Sequence, residues 1–419
     1  MPRDRLINKF AFYLSIYWIF FILLIIRFDL WHYVGVPAIK PIFEDLRATF
    51  HQASLGKESN LTHSFIWIWI GKLELQVEFI APLLIFLFII VSIYSIRLIN
   101  IKESIITAFF ILSPPMMLAI ERANMDLIMY LLLWTGGFFI SRKAVNLNLV
   151  SVVPIYSAIV MKIYPIAALM TYFFYKKKRI LITILILYTF MIAIWLSLYQ
   201  REVLFLLKNA PHPIPTPIGD LGFGGEYLFL LLNIPYSNHV TIIFGVFSAV
   251  IARIYSKTIY IPPVSRYDFK CVLFVIGLST LLICFLLNTN YDYRCIYFLM
   301  TLPFLMTFIK KNSPFTKQRK LGYGIIGAII FILWNEIWVL IIKTVLVMQK
   351  MGFLHLKRFV NREVPLITVA PELFQSKWLY INFLVEHALT WVVMTLLMAI
   401  EIKMILEIHS GTKVSVEDK

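Results

Sequence analysis

Residues 79–98 read FIAPLLIFLFIIVSIYSIRL, and this stretch decides the fold. Positions 79–96 carry no charge at all. An α-helix rises about 1.5 Å per residue, so roughly 20 such residues cross the ~30 Å hydrocarbon core of a bilayer. A membrane-spanning β-strand would alternate apolar and polar residues instead. Residues 180–199 repeat the same continuous apolar pattern. Across all 419 residues, 60% are hydrophobic and 15% charged, with a mean hydropathy of +0.82. Soluble proteins carry about 25% charged residues. The composition excludes a soluble enzyme, a disordered chain, a nucleic-acid-binding domain and an outer-membrane barrel. It describes an all-α polytopic membrane protein, one integral membrane domain over 1–419.

Working outward, further clear runs occupy 10–27, 239–255, 269–287, 322–344 and 383–406. Shorter or interrupted runs occupy 105–120, 124–141, 147–161, 163–175 and 295–309. The expectation is about twelve transmembrane or re-entrant helices, the first a retained signal anchor behind Arg3, Arg5 and Lys9. Prolines at 114, 115 and 165 break the middle runs. Non-helical backbone at membrane depth is tolerated only beside protein or a water-filled cavity, so a cavity is expected there.

Lys and Arg number 39 against 23 Asp and Glu, a net charge of +16. With twelve segments and cytoplasmic N- and C-termini, the cytoplasmic set holds 23 Lys/Arg against 7 Asp/Glu. The outer set holds 16 of each. All of the excess therefore falls on one side, as the positive-inside rule expects. Three long outer segments result: 28–78, ending in an interfacial helix with Trp67 and Trp69; 200–238; and 345–382. No internal repeat is evident. Cys271, Cys284 and Cys295 form no metal or disulfide spacing, and the eight histidines form no HxxH pair.

Four polar constellations fall on the outer side. Pro41-Ile-Phe-Glu-Asp-Leu-Arg47 sets Glu44, Asp45 and Arg47 at the start of the first outer loop, where a carboxylate can act as general base. Its bland reading is a solvated acidic pair opening a helix. Glu121-Arg-Ala-Asn-Met-Asp126 sets Glu121, Arg122, Asn124 and Asp126 between two short apolar runs; the bland reading is an N-cap and a salt bridge. Met161-Lys-Ile-Tyr-Pro165 sets Lys162 and Tyr164 beside a proline; the bland reading is a snorkelling lysine. Asn288-Thr-Asn-Tyr-Asp-Tyr-Arg294 sets Tyr291, Asp292, Tyr293 and Arg294 in a short turn. Its arginine offers a planar fork for a phosphate, or pairs with Asp292. Glu336 and Glu386-His387 are lesser candidates. Gly222-Phe-Gly-Gly225 lacks the pattern and strand context of a nucleotide loop. Asn60-Leu-Thr62 fits a glycosylation sequon.

At these residues the chain resembles multi-pass glycosyltransferases of the GT-C superfamily, and among them the bacterial polyprenyl-phosphate-sugar-dependent, mannosyltransferase-like group. Phe43-Glu-Asp-Leu-Arg47, Glu121–Asp126, Met161–Pro165 and Asn290-Tyr-Asp-Tyr-Arg294 carry the resemblance, which spreads over 41–310. It implies an outer active site and an inverting transfer from a polyprenyl-phosphate sugar to a lipid or glycan hydroxyl. Asp45 would be the base, with Glu44 beside it. Lys162, Arg294 and Arg122 would face the donor phosphate. The implied partners are that donor, the acceptor and the bilayer, with no nucleic acid, no cofactor and no metal. The implied location is the bacterial inner membrane. A flippase for a lipid-linked saccharide and an envelope polysaccharide polymerase or ligase are the competing readings, the latter drawing on His355, Lys357, Arg358 and Arg362.

Overall fold

The computed structural model describes residues 43–54, 73, 76–96, 101–142, 149–174, 178–200, 204, 222–261, 265, 267–287, 290–312, 316–351 and 376–410. The expected first span at 10–27, the Trp67–Trp69 segment, the Asn60 sequon, the late basic stretch around Arg358 and much of the three long loops lie outside them.

The described chain is helical, apart from one two-residue strand pair. In order it runs α1 (Glu44–Ser54), α2 (Val77–Ile96), α3 (Ile101–Ile111), α4 (Pro114–Glu121), α5 (Met125–Ile140) and α6 (Val152–Met161). A 3-10 helix (Tyr164–Phe174) and α7 (Lys178–Leu198) follow, then β1 (Gly222–Phe223), α8 (Glu226–Leu231), α9 (Ser237–Ser256) and α10 (Phe269–Leu287). The chain ends with β2 (Asn290–Tyr291), a second 3-10 helix (Asp292–Tyr297), α11 (Phe298–Lys311), α12 (Lys317–Leu333), α13 (Asn335–Met351) and α14 (Lys377–Ser410). Strands β1 and β2 pair antiparallel, with Gly222 opposite Tyr291.

Among the described residues five helices are long and apolar enough to cross a membrane, and two bent pairs raise the number to seven. The described chain is thus a helical one suited to a bilayer. Helices α5 and α6 are apolar but short, and the 163–175 run is the first 3-10 helix. Helices α3 and α4 meet at 56° because Pro114 and Pro115 remove two backbone donors just after Ser113. The 322–344 run, expected as one span, breaks at Trp334 with a 52° bend between α12 and α13. The two breaks touch: Trp334 Nε1 donates to Phe109 O at 2.7 Å, and the rings meet edge-on.

Helix α10 is the centre of the bundle. Of its apolar window 72% is buried, against 17% for α7 at the rim. Gly277 lets α10 approach α11: a Cβ there would lie 2.6 Å from Met300 Cβ and 2.8 Å from Tyr297 O. That approach sets the height of the second 3-10 helix, which also packs on α4 and α5. Lipid-facing Phe79, Ile186, Phe190 and Ile243 are exposed, as expected where the solvent is hydrocarbon.

Candidate functional site

The turn between α4 and α5 organises the site. Asn124 N donates to Ala119 O and Ala123 N to Ile120 O, the double closure of a Schellman helix end. Ala123 takes the left-handed position, φ 44°, where glycine is usual. Asn124 then caps the next helix: its Oδ1 accepts from Asp126 N at 2.9 Å. The cap expected from sequence is therefore real.

The same side chain does more. Asn124 Nδ2 donates to Asp45 Oδ2 at 2.5 Å. Arg122 approaches Asp45 Oδ1 with Nε at 2.7 Å and Nη2 at 2.5 Å. Arg122 thus meets Asp45, 77 residues earlier. Phe43, also left-handed at φ 65°, donates its N–H to Glu121 O at 2.8 Å and so pins the start of α1 to the end of α4. The Asp45 side chain stays 19% exposed. A carboxylate offers about four lone-pair positions, so three donors orient it and leave room for one more hydrogen bond.

Behind Asn124 lies Asp126, fully buried at the first turn of α5. Lys162, the residue that ends α6, reaches Asp126 Oδ1 at 3.0 Å. The Tyr164 hydroxyl donates to the same oxygen. Asp126 Oδ2 is buried with no hydrogen-bond partner among the described residues. Arg294 closes the cluster, its guanidinium 4.9 Å from the centre of the Tyr164 ring and near enough for its charge to act on Asp126. Lys162 is thus an ion-pair partner of a buried acid rather than a snorkelling anchor. Its ammonium keeps further donors beyond the one given to Asp126.

Four sequence constellations therefore converge on Asp45 and Asp126, linked by the Asn124 amide, which donates to the Asp45 carboxylate and accepts from the Asp126 backbone N–H. Three cations serve them: Arg122 at Asp45, and Lys162 and Arg294 at Asp126. Glu44 is half-buried and makes no hydrogen bond or ion pair among the described residues. Arg47 points elsewhere, to Glu78 at 2.9 Å, a surface pair of little energetic weight. Glu121 is buried beside the turn. Tyr291 lies on β2, and Asp292 and Tyr293 open the second 3-10 helix.

Tyr297 escaped the sequence reading. Its hydroxyl is 2.9 Å from that of Tyr164, and it is fully buried. The available signal was its spacing: three residues after Arg294 is one turn of a 3-10 helix, hence the same face. Among the described residues no group of three or more His, Cys, Asp or Glu gathers to hold a metal ion. No family model, curated protein or solved structure matches the chain.

Proposed function

We propose that the protein transfers a sugar from a polyprenyl-phosphate donor to a hydroxyl of a lipid or glycan acceptor. One observation carries the reading: Asn124 holds an oriented, partly exposed carboxylate, Asp45, directly beside the Lys162–Asp126–Arg294 cluster. The reaction needs that pairing. Asp45 takes the proton of the acceptor hydroxyl as its oxygen attacks the anomeric carbon. The bond from that carbon to the phosphate oxygen breaks, and its electrons leave with the phosphate. Lys162 and Arg294 stabilise the charge that grows there, and Arg122 keeps Asp45 aimed. Attack opposite the leaving phosphate inverts the anomeric centre. The fold belongs with the GT-C architecture on this reading, its twelve membrane segments being the long apolar runs together with the shorter and interrupted ones. Both termini are cytoplasmic, and the site lies on the outer face of a bacterial inner membrane.

A flippase reading draws on Glu401, a buried carboxylate near the far end of α14 that accepts from Ser279 at 3.3 Å. Transport by alternating access would use polar groups at both ends of the bundle. An assay with radiolabelled polyprenyl-phosphate sugar in protein-containing vesicles separates the two. The expected result is label on an acceptor, lost by more than 100-fold in Asp45→Asn and unchanged in EDTA. Label crossing the bilayer while still on its phosphate overturns the transferase reading. Loss in chelator, restored by manganese, moves the charge stabilisation from Lys162 and Arg294 to a metal.

A further inference from the structure

One buried acid takes no part in the site. Glu401 lies on α14, 7% exposed, and accepts from the Ser279 hydroxyl of α10 at 3.3 Å. Ser279 stands near the middle of α10, about 15 Å from its first residue and about 12 Å from its last. Helix α10 is the most buried of the apolar spans, so Glu401 sits level with the middle of a span. Its surroundings are apolar: Ile400 and Met404 on α14, and Ile276 and Leu278 beside Ser279, are all buried. The Ser279 bond is long and neutral, and no lysine, arginine or histidine pairs with Glu401 among the described residues. A carboxyl group at that depth is costly and marks function by default.

The titratable groups of the elements packed on α14 are engaged or placed elsewhere. Arg253 and Lys257 of α9 are exposed, as are Lys317 and Lys320 of α12, whose Arg319 lies over the Tyr323 ring. Lys270 of α10 donates to Thr307, and Cys271 and Cys284 lie more than one turn from Ser279 on either side. Glu226 of α8 accepts from Ser237, and the Tyr172 hydroxyl of the first 3-10 helix meets those of Ser151 and Tyr188. Glu336 of α13 follows Asn335, which bonds Glu386, about 22 Å along α14 from Glu401. On α14 itself Lys403 pairs with Glu407 at 2.7 Å, and both side chains are partly exposed. An ionised carboxylate with one neutral donor in apolar surroundings lowers its free energy by taking up a proton. The Glu407 end of the partly exposed ion pair, about 9 Å further along the helix, gives that proton a polar layer to come from and return to.

We propose that Glu401 is an intramembrane proton-binding site: its carboxyl holds one proton while the seam between α10 and α14 is dry and gives it up when water enters that seam. The bound proton supplies an O–H that can itself donate, so the closed seam keeps a hydrogen bond without a charge. The site stands whether the protein transfers a sugar or transports one.

The test uses the full chain in lipid nanodiscs and dicyclohexylcarbodiimide, an apolar reagent for un-ionised carboxyl groups. In that reaction the carboxyl oxygen bonds to the central carbon of the carbodiimide and the acid's proton moves to a nitrogen. The acyl group then migrates to nitrogen as a stable acylurea, which mass spectrometry locates. The expected adduct lies on Glu401 in neutral buffer, falls at least fivefold in alkaline buffer, and is absent from Glu401→Gln. A water-soluble carbodiimide should leave Glu401 unmodified. The infrared difference between wild type and Glu401→Gln should show the carbonyl stretch of an un-ionised acid in neutral buffer and carboxylate bands in alkaline buffer. Ionisation in the closed seam buries a charge, so the melting temperature of the wild type should fall in alkaline buffer by several degrees more than that of Glu401→Gln. Should Glu401→Gln fail to fold, Ser279→Ala removes only the hydroxyl and should shift the acid carbonyl band, while the adduct is mapped on the wild type itself. Carboxylate bands in neutral buffer with no adduct would overturn the proposal. So would an acid band that persists in alkaline buffer while the protein stays folded, since the proton would then be a fixed strut. Melting curves of wild type and Glu401→Gln that run parallel with pH would separate the proton from the α10–α14 packing and overturn it as well.

Discussion

At the scale of single residues, Asn124 has two duties that substitution separates. Serine caps a helix about as well as asparagine, so Asn124→Ser keeps the bond to Asp126 N and the stability of α5. Serine cannot also reach Asp45. The expected outcome is a melting temperature within a few degrees of wild type and a fall of at least tenfold in kcat with little change in KM. Equal losses of stability and activity would reduce Asn124 to a cap. Lys162 and Arg294 pose a related question, because both act on Asp126 before any donor arrives. A buried pair that loses one partner costs about 3–5 kcal/mol, so Lys162→Ala should lower stability, and its effect with Arg294→Ala should be non-additive even without ligand. Coupling in kcat/KM larger than the coupling in stability shows that the two cations share the donor phosphate as well. Equal coupling in both confines them to holding Asp126. This separation was not available from sequence. Lys162 and Asp126 are 36 residues apart, and nothing in either run announces that they meet. The residue types were legible, since the four polar residues of Glu121–Asp126 between apolar runs are costly to insert. Their partners were not. Arg122 has an acid next to it in the chain and reaches Asp45, 77 residues earlier, beside the left-handed turn at Ala123.

At the scale of elements, hydropathy located the helices well and their continuity poorly. The runs at 79–98, 180–199 and 269–287 became α2, α7 and α10 almost residue for residue. The 322–344 run shows where the signal stops: apolar character persists through Trp334 while the helix axis turns by 52°. Hydropathy measures what each residue prefers to touch, and a bend filled by Trp334 against Phe109 stays apolar throughout. The prolines at 114 and 115 did announce their break, because a missing N–H is a local property. The packing of α10 on α11 gives an element-scale prediction. Gly277→Ala forces a methyl against Tyr297 O and Met300 Cβ, neither of which is the free end of a flexible chain. It should cost about 1–3 kcal/mol and displace Tyr297 from Tyr164, lowering activity with stability. Gly324→Ala on α12 meets nothing within 4 Å and should leave stability equal or higher by up to ~1 kcal/mol. Thermal denaturation of the two variants in one detergent checks the contrast; equal behaviour would mean α10 and α11 are not in close contact.

At the scale of the whole molecule, the open question is which side of the membrane the site faces, and the charge pattern makes a definite statement. Seven segments placed on the cytoplasmic side hold the entire +16 excess, with Lys310, Lys311, Lys317, Arg319 and Lys320 the densest cluster in the described chain. That cluster brackets the turn from α11 to α12, at the far ends of these helices from Arg294 and Trp334. An anionic inner leaflet attracts such a cluster at about 1 kcal/mol per charge, which orients the bundle as a unit. On the proposed orientation the site opens outward, with Lys310 and the second 3-10 helix at opposite ends of α11, about 20 Å apart. The protein is well suited to the direct measurement: Cys271, Cys284 and Cys295 are all buried, so a membrane-impermeant maleimide should find little background. Glu44→Cys places a thiol next to Asp45, at a side chain that holds no partner among the described residues. Lys320→Cys places one in the basic cluster, where the side chain is exposed. In intact spheroplasts the first variant should label within minutes and the second only after the membrane is opened with detergent. The reverse order would invert the orientation and place the donor's sugar in the cytoplasm. Labelling of both in sealed spheroplasts would put both ends of α11 in one compartment and overturn the proposed orientation.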